Sequence, residues 1–300
     1  MLASVSFSGG VLFITGDDTS ETVQVTEVTP GTLTVSGTGI AVPVTRSGVV
    51  GIVADMKGGD DELNIGTVQN PVDLLGPVSI LLGNGADDAD LFINTPSSVS
   101  VDGGFQLGVA PQNDIILVLD STIGVLTVNT YAGDDSLTIV EGSFSTLAVN
   151  LGVGVLGLGQ VDADNFVMVD GGATAAAINV GTSQTGAGNS VVIVGSTFST
   201  LAINGGEGGD FVQLVGALAT STIAINTFGG ADTIELVGVS ATNSLSISAG
   251  AGADDVELIG VTTAFGFLDG GSGLDSLADD NSPGIVTRIK LEWETDDPLL

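Results

Sequence analysis

Three segments, Leu201-Ala-Ile-Asn204, Ile223-Ala-Ile-Asn226 and Leu245-Ser-Ile-Ser248, recur at steps of 22 residues. A repeat of that length restricts a chain to architectures in which each copy stacks on its neighbours. Six residues beyond each segment comes an aspartate followed by alternating apolar residues: Asp210 with Val212 and Leu214, Asp232 with Ile234 and Leu236, Asp254 with Val256 and Leu258. The unit is therefore strand, Gly-rich turn, strand.

The same frame extends through the chain, with strand ends at Thr15, Ser36, Asp55, Leu81, Asp102, Asn129, Asn150, Asn179, Asn204, Asn226, Ser248 and Asp269, about twelve rungs. Partner positions follow at Glu21, Asp61, Asp87, Asp135, Asp210, Asp232, Asp254 and Asp275. In three rungs the interval grows, from 102 to 114, 150 to 164 and 179 to 189, whereas the return to the next strand end is 15 residues in each of these. Insertions that gather at one corner are what parallel strands in register require, because only a corner loop can bulge into solvent. Val, Ile, Leu and Thr at period two, separated by Gly, Asn, Asp and Ser, fit strands and no long amphipathic helix. The predicted fold is all-β: a single-stack parallel β-helix over residues 1–280, with a C-terminal strand and tail over 281–300. Leu126, Leu147, Leu201, Ile223 and Leu245, then Val128, Val149, Ile203, Ile225 and Ile247, form its inward columns.

Charge narrows the partners. The chain has 36 Asp plus Glu against 4 Lys plus Arg, a net charge of −32. Nucleic acid and insertion into anionic membranes are excluded, since both need clustered cations. Self-repulsion of this size calls for counterions, and divalent cations suit carboxylates. With no Cys and no His, thiolate sites, disulfides and imidazole bases are absent. The start, Met-Leu-Ala-Ser-Val-Ser-Phe, lacks the basic and continuous apolar regions of a signal peptide, so an export signal is expected to have been removed or to lie elsewhere. Residues 171–206 carry no charge, yet Ser, Thr, Asn, Gln and Gly interrupt them throughout, unlike a membrane-spanning helix.

Gly205-Gly-Glu-Gly-Gly-Asp210-Phe-Val and Gly270-Gly-Ser-Gly-Leu-Asp275-Ser-Leu both fit Gly-Gly-x-Gly-x-Asp-x-apolar in full. This pattern resembles the hemolysin-type (RTX) calcium-binding repeat. Ala249-Gly-Ala-Gly-Ala-Asp254-Asp-Val differs by one Ala, and the turns before Asp232, Asp135 and Asp61 are looser matches. The resemblance implies Ca2+ held by turn carbonyls and by aspartates of neighbouring turns: Asp210, Asp232, Asp254, Asp255, Asp269 and Asp275, with Asp134, Asp135, Asp60, Asp61 and Asp87 in the earlier rungs. The alternative is that these aspartates cap turns through Asx hydrogen bonds and hold no metal. The motif occurs once per rung and not as tandem nonapeptides, so a wide β-helix with one ion-binding edge is expected in place of a two-turn roll.

Two further columns stand out. Asn129, Asn150, Asn179, Asn204 and Asn226 are expected to hydrogen-bond one another along a corner. Thr34, Ser100, Thr127, Ala148, Ala177, Ala202, Ala224 and Ser246 fall between two inward residues and so point outward, a smooth face suited to lateral packing. The alternating tail from Ile285 to Trp293 reads as one more strand, capping the last rung or docking on another subunit.

These features point to an extracellular or cell-surface structural protein that is not an enzyme, a homo-oligomer or filament packed end to end and laterally, with cell-surface polysaccharide a further expected partner. A β-helix polysaccharide lyase would need cations to stabilise enolate charge, and the repeat body offers only Arg46 and Lys57. An ice-binding or glycan-binding module would call for a regular Thr or aromatic array, which the mixed outward column lacks.

Overall fold

The computed structural model describes residues 4–104, 112–131, 133–152, 164–181, 188–280, 282, 284–293 and 295–297. The chain winds into a parallel β-solenoid of about ten turns at roughly 22-residue spacing, with no helix among the described residues. Strands stack in two columns. The first runs from Val11–Thr15 through Gly51–Asp55, Val78–Leu81, Thr122–Asn129 and Leu218–Asn226 to Gly284–Leu291, pairing in parallel throughout. The second runs from Thr22–Thr29 through Glu62–Ile65, Asp88–Leu91, Ile115–Leu119 and Phe211–Val215 to Thr295–Asp297.

Alternation along each strand turns one set of side chains inward. Leu126, Leu147, Leu201, Ile223 and Leu245 meet Val128, Val149, Ile203, Ile225 and Ile247 in one continuous aliphatic core, and all ten are 2 % exposed or less. At one corner the chain turns through a single left-handed residue. Gly195, Gly216, Gly238 and Gly260 hold φ of 61–62° there, and Asp120 and Glu141 hold 45° and 56° at equivalent places.

The structure corrects the sequence reading near the N-terminus. Ser36 is not a strand end of the stack and Thr34 is not in the outward column. Both lie in Thr32–Gly37, which pairs antiparallel with Thr22–Thr29 and with Val44–Ser47. Thr15 pairs directly with Asp55 instead, and the intervening hairpin covers the end of the core with Leu33 and Val35, both fully buried. A second antiparallel pair, Ser4–Ser8 on Val11–Thr15, completes this cap. The solenoid rule failed here because alternation is the same in parallel and antiparallel strands; only the Thr-Pro-Gly turn at Thr29-Pro30-Gly31 signalled the reversal.

The other correction is one residue wide. Position 165, not 164, aligns with Asp135, since Ser136 pairs with Phe166. A bulge at Glu141 gives the Asp135 rung an extra residue before its next strand end. The long corner intervals fall largely on 105–111, 153–163 and 182–187, outside the described residues. At the C-terminal end the tail does form a strand: Gly284–Leu291 pairs in parallel with Thr262–Gly273, and Trp293 donates from its indole Nε1 to the Leu268 carbonyl at 3.2 Å.

Candidate functional site: the buried acid column

Glu21, Asp61, Asp87, Asp114, Asp135, Asn165, Asn189, Asp210, Asp232, Asp254 and Asp275 form one column inside the turn edge, each 3 % exposed or less. The turn preceding each residue explains both its place and the glycines around it. In the Asp254 rung, Gly250 sits at φ 108° and Gly252 at φ 153°; in the Asp275 rung Gly271 and Gly273 repeat this at 89° and 154°. A Cβ on Gly252 would overlap the carbonyl oxygen of Gly230, and one on Gly273 that of Gly252. A Cβ on Gly205 would overlap Oδ2 of Asp210. The glycines of the motif are therefore required by left-handed backbone, by turns stacked at strand spacing, and by a carboxyl folded back over the turn.

The acids of the column bind backbone. The N–H of each column residue donates to Oδ1 of the next: Glu21 to Asp61 at 2.8 Å, Asp61 to Asp87 at 2.8 Å, Asp87 to Asp114 at 3.2 Å and Asp114 to Asp135 at 2.9 Å. The chain of bonds continues through Asn165 and Asn189 to Asp210, Asp232, Asp254 and Asp275. Every step closes a backbone donor that the turn would otherwise leave unpaired inside the protein.

Burial dominates the electrostatics. Desolvation pushes Asp114 up to about 9, with the charges of Asp135 and Asp87 adding to it. Desolvation raises Asp61 and Asp232 to about 7, and Asp87 and Asp135 to about 6, against the backbone donors that act in the opposite direction. Asp210 and Asp254 are raised by the same cause.

Of the residues expected to hold Ca2+, the structure brings Asp61, Asp87, Asp135, Asp210, Asp232, Asp254 and Asp275 into this one column. Asp60 and Asp134 lie one residue earlier, on the outer side of the turn, where Oδ1 of Asp60 accepts from Ala86 N and Oδ1 of Asp134 from Asp164 N. Asp255 faces outward and accepts from Ser276 Oγ. Asp269 ends the asparagine column and accepts from Gly271 N. Among the described residues no three acidic side chains converge as metal ligands. Even Glu62, Asp88 and Asp90, which share one shallow groove, do not close on a point. The position one past the strand end, which lies against Oδ2 of the same rung at Gly205 and Gly103, is Met56, Leu82 and Ala249 in the Asp61, Asp87 and Asp254 rungs, side chains without the oxygens a hard cation would need. The column does not fit the calcium cage that the motif resemblance implies.

Sequence reasoning passed over Asp114, Asn165 and Asn189 as site residues because no Gly-x-Asp motif precedes them. The 15-residue distance to the next strand end signalled Asp114 and Asn189 and pointed one residue short of Asn165, which lies 14 before Asn179. From Asn129 to Asn204 the asparagine column behaves as expected: Asn150, Asn179 and Asn204 each donate from Nδ2 to Oδ1 of the asparagine one rung before, at 2.6–2.8 Å.

No known protein family matches the chain, and no curated protein or solved structure matches it either.

Proposed function

We propose that the chain is an extracellular structural protein, a stiff acidic rod that packs laterally with copies of itself on a cell surface or in a matrix. The observation that carries this reading is a face without charge on a chain of net charge −32. The strand segments 122–129, 143–150, 172–179, 197–204, 219–226 and 241–248 stack directly on one another and contain no charged residue. Three outward columns run across them. Val125, Thr146, Ala175, Thr200, Thr222 and Ser244 form the first, Thr127, Ala148, Ala177, Ala202, Ala224 and Ser246 the second, and the asparagines the third.

Six rungs at about 4.8 Å and the five residues these columns span at about 3.3 Å give an area of roughly 475 Å². That is a little over half of the ~800 Å² per partner that specific interfaces bury. The six segments bring no charge against charge when two copies meet through them, so this face carries little electrostatic cost of self-association. Divalent ions enter this reading as mobile counterions to the acidic outer surface and not as ligands of the buried column.

Ala202→Asp with Ala224→Asp tests it. Both side chains point away from the core, so the thermal midpoint is expected to stay within a few degrees of the parent. Lateral assembly, followed by sedimentation and electron microscopy, is expected to weaken by at least ~10-fold, because two unpaired charges per copy would be desolvated. Assembly at the parent's concentration threshold would reject the lateral face.

A further inference from the structure

The two asparagines in the acid column show what a complete link looks like. Asn165 donates to Oδ1 of Asn189 twice, from its backbone N at 3.2 Å and from Nδ2 at 3.0 Å. Asn189 does the same to Oδ1 of Asp210, at 2.9 Å from each atom. Aspartate has the same shape, with Oδ2 in the place of Nδ2. In Asp61, Asp87, Asp232 and Asp254 that Oδ2 is buried and has no hydrogen-bond partner. The Thr227 hydroxyl beside Asp232 acts to lower its pKa without reversing the rise that burial causes, and it donates to the Ala249 carbonyl at 2.8 Å. An ionised Oδ2 can only accept, and a buried acceptor left without a donor is costly. Asn165 and Asn189 place a neutral side chain of the same shape at two positions of this column, and a protonated carboxyl is the neutral form of aspartate.

The groups facing these carboxyls supply no compensating cation. Asp61 faces Asp87 and Glu21, Asp87 faces Asp60 and Asp88, Asp232 faces Asp210 and Asp254, and Asp254 faces Asp275. All are acids. Lys57 pairs with Asp55 on the outer surface.

We propose that Asp61, Asp87, Asp232 and Asp254 stand in the folded chain as neutral carboxylic acids, so that protons neutralise the column where the motif resemblance would place calcium. Burial supports this by raising all four above the ordinary carboxylate range, to about 7 for Asp61 and Asp232 and about 6 for Asp87. The direction of the linkage follows. A carboxyl with a raised folded pKa binds more protons folded than unfolded, so its contribution is fully present below the unfolded value of about 4. It declines as pH rises and is gone once pH passes the folded value, through the window from about 4 to about 7.

Thermal unfolding of the full chain from pH 4 to pH 9, with excess calcium and with chelator, tests the proposal. The midpoint is expected to fall steadily from pH 5 to pH 8, and by the same amount in both solutions. Asp61→Asn, Asp232→Asn and Asp254→Asn are neutral at every pH. Each is expected to flatten that decline, and Asp61→Asn and Asp232→Asn to raise the folded-to-unfolded ratio at pH 8 by at least ~10-fold. Asp232→Ala, which removes the acceptor of the Asp210 N–H as well, is expected to destabilise at every pH. The infrared carbonyl band of protonated carboxyl groups should persist in the folded parent at pH 6 and weaken in the Asn variants. A midpoint independent of pH from 5 to 8, Asn variants that keep the parent's slope, or a chelator-induced loss of stability that the Asn variants abolish would each overturn the proposal, the last in favour of a calcium-filled column.

Discussion

Gly252→Ala is expected to destabilise the fold by more than ~3 kcal/mol, an effect usually reserved for a large truncation in a core. Two causes add. Gly252 holds φ 153°, where an L side chain costs on the order of 1–3 kcal/mol. The new methyl would also occupy the position of the Gly230 carbonyl oxygen, which belongs to the backbone of the turn below and cannot rotate away. The two turns must separate, and the bonds that join them, Gly230 N to the Ala251 carbonyl and Ala251 N to the Phe228 carbonyl, are weakened at about 1 kcal/mol each. Denaturant unfolding measures the loss. Ala251→Gly, at an exposed position in the same turn, is the control and should cost within about 1 kcal/mol. So is Gly238→Asn: Gly238 has open space around its missing Cβ and φ 61°, and asparagine tolerates that region. A Gly252→Ala protein as stable as the parent would mean that the turns are not stacked as described.

This contrast marks how far sequence carried the reading. The step of 22, the inward aliphatics and the hydrogen-bonded asparagines were legible because strand alternation and rung spacing are written in residue identity. The glycines were legible as a motif but ambiguous in cause. A Gly-Gly-x-Gly-x-Asp run looks the same whether its glycines clear space for an ion or for the backbone of the next turn. Only the position of the Gly230 carbonyl relative to Gly252, and of Oδ2 of Asp210 relative to Gly205, separates the two. The direction of the carboxyls was likewise hidden. That Oδ1 of Asp232 is committed to the Asp210 N–H depends on a contact 22 residues away, and no local pattern encodes which oxygen takes it. At the N-terminus, Leu33 and Val35 read as one more rung because an antiparallel cap strand buries alternate residues as a parallel one does.

That cap leads to the second large effect. A chain beginning at Gly51 loses the strands that pair with Gly51–Asp55 and Glu62–Ile65, and with them the fully buried Leu12, Val23, Val25, Leu33 and Val35. At about 1.5–3 kcal/mol for each buried side chain, the burial lost is on the order of 10 kcal/mol. The uncovered faces of Ile52, Leu63 and Ile65 would meet water. The new N-terminal edges are parallel strands with free backbone groups, and at the other end Gly284–Leu291 pairs on one side only among the described strands. Two such edges differ from each other and repeat the same ladder, so contact between them is heterologous and does not close on itself. The truncated chain is therefore expected to form concentration-dependent linear polymers, read by sedimentation and electron microscopy, while the full chain at equal concentration does not polymerise end to end. The antiparallel strands Ser4–Ser8, Thr32–Gly37 and Val44–Ser47 break the repeat at that end and so act against it. Polymerisation of the truncated chain should also survive Ala202→Asp, since that residue lies on the lateral face and not at an end. A truncated chain that stays monomeric and folded would show that the hairpin is an appendage and that the end of the stack is closed by other means.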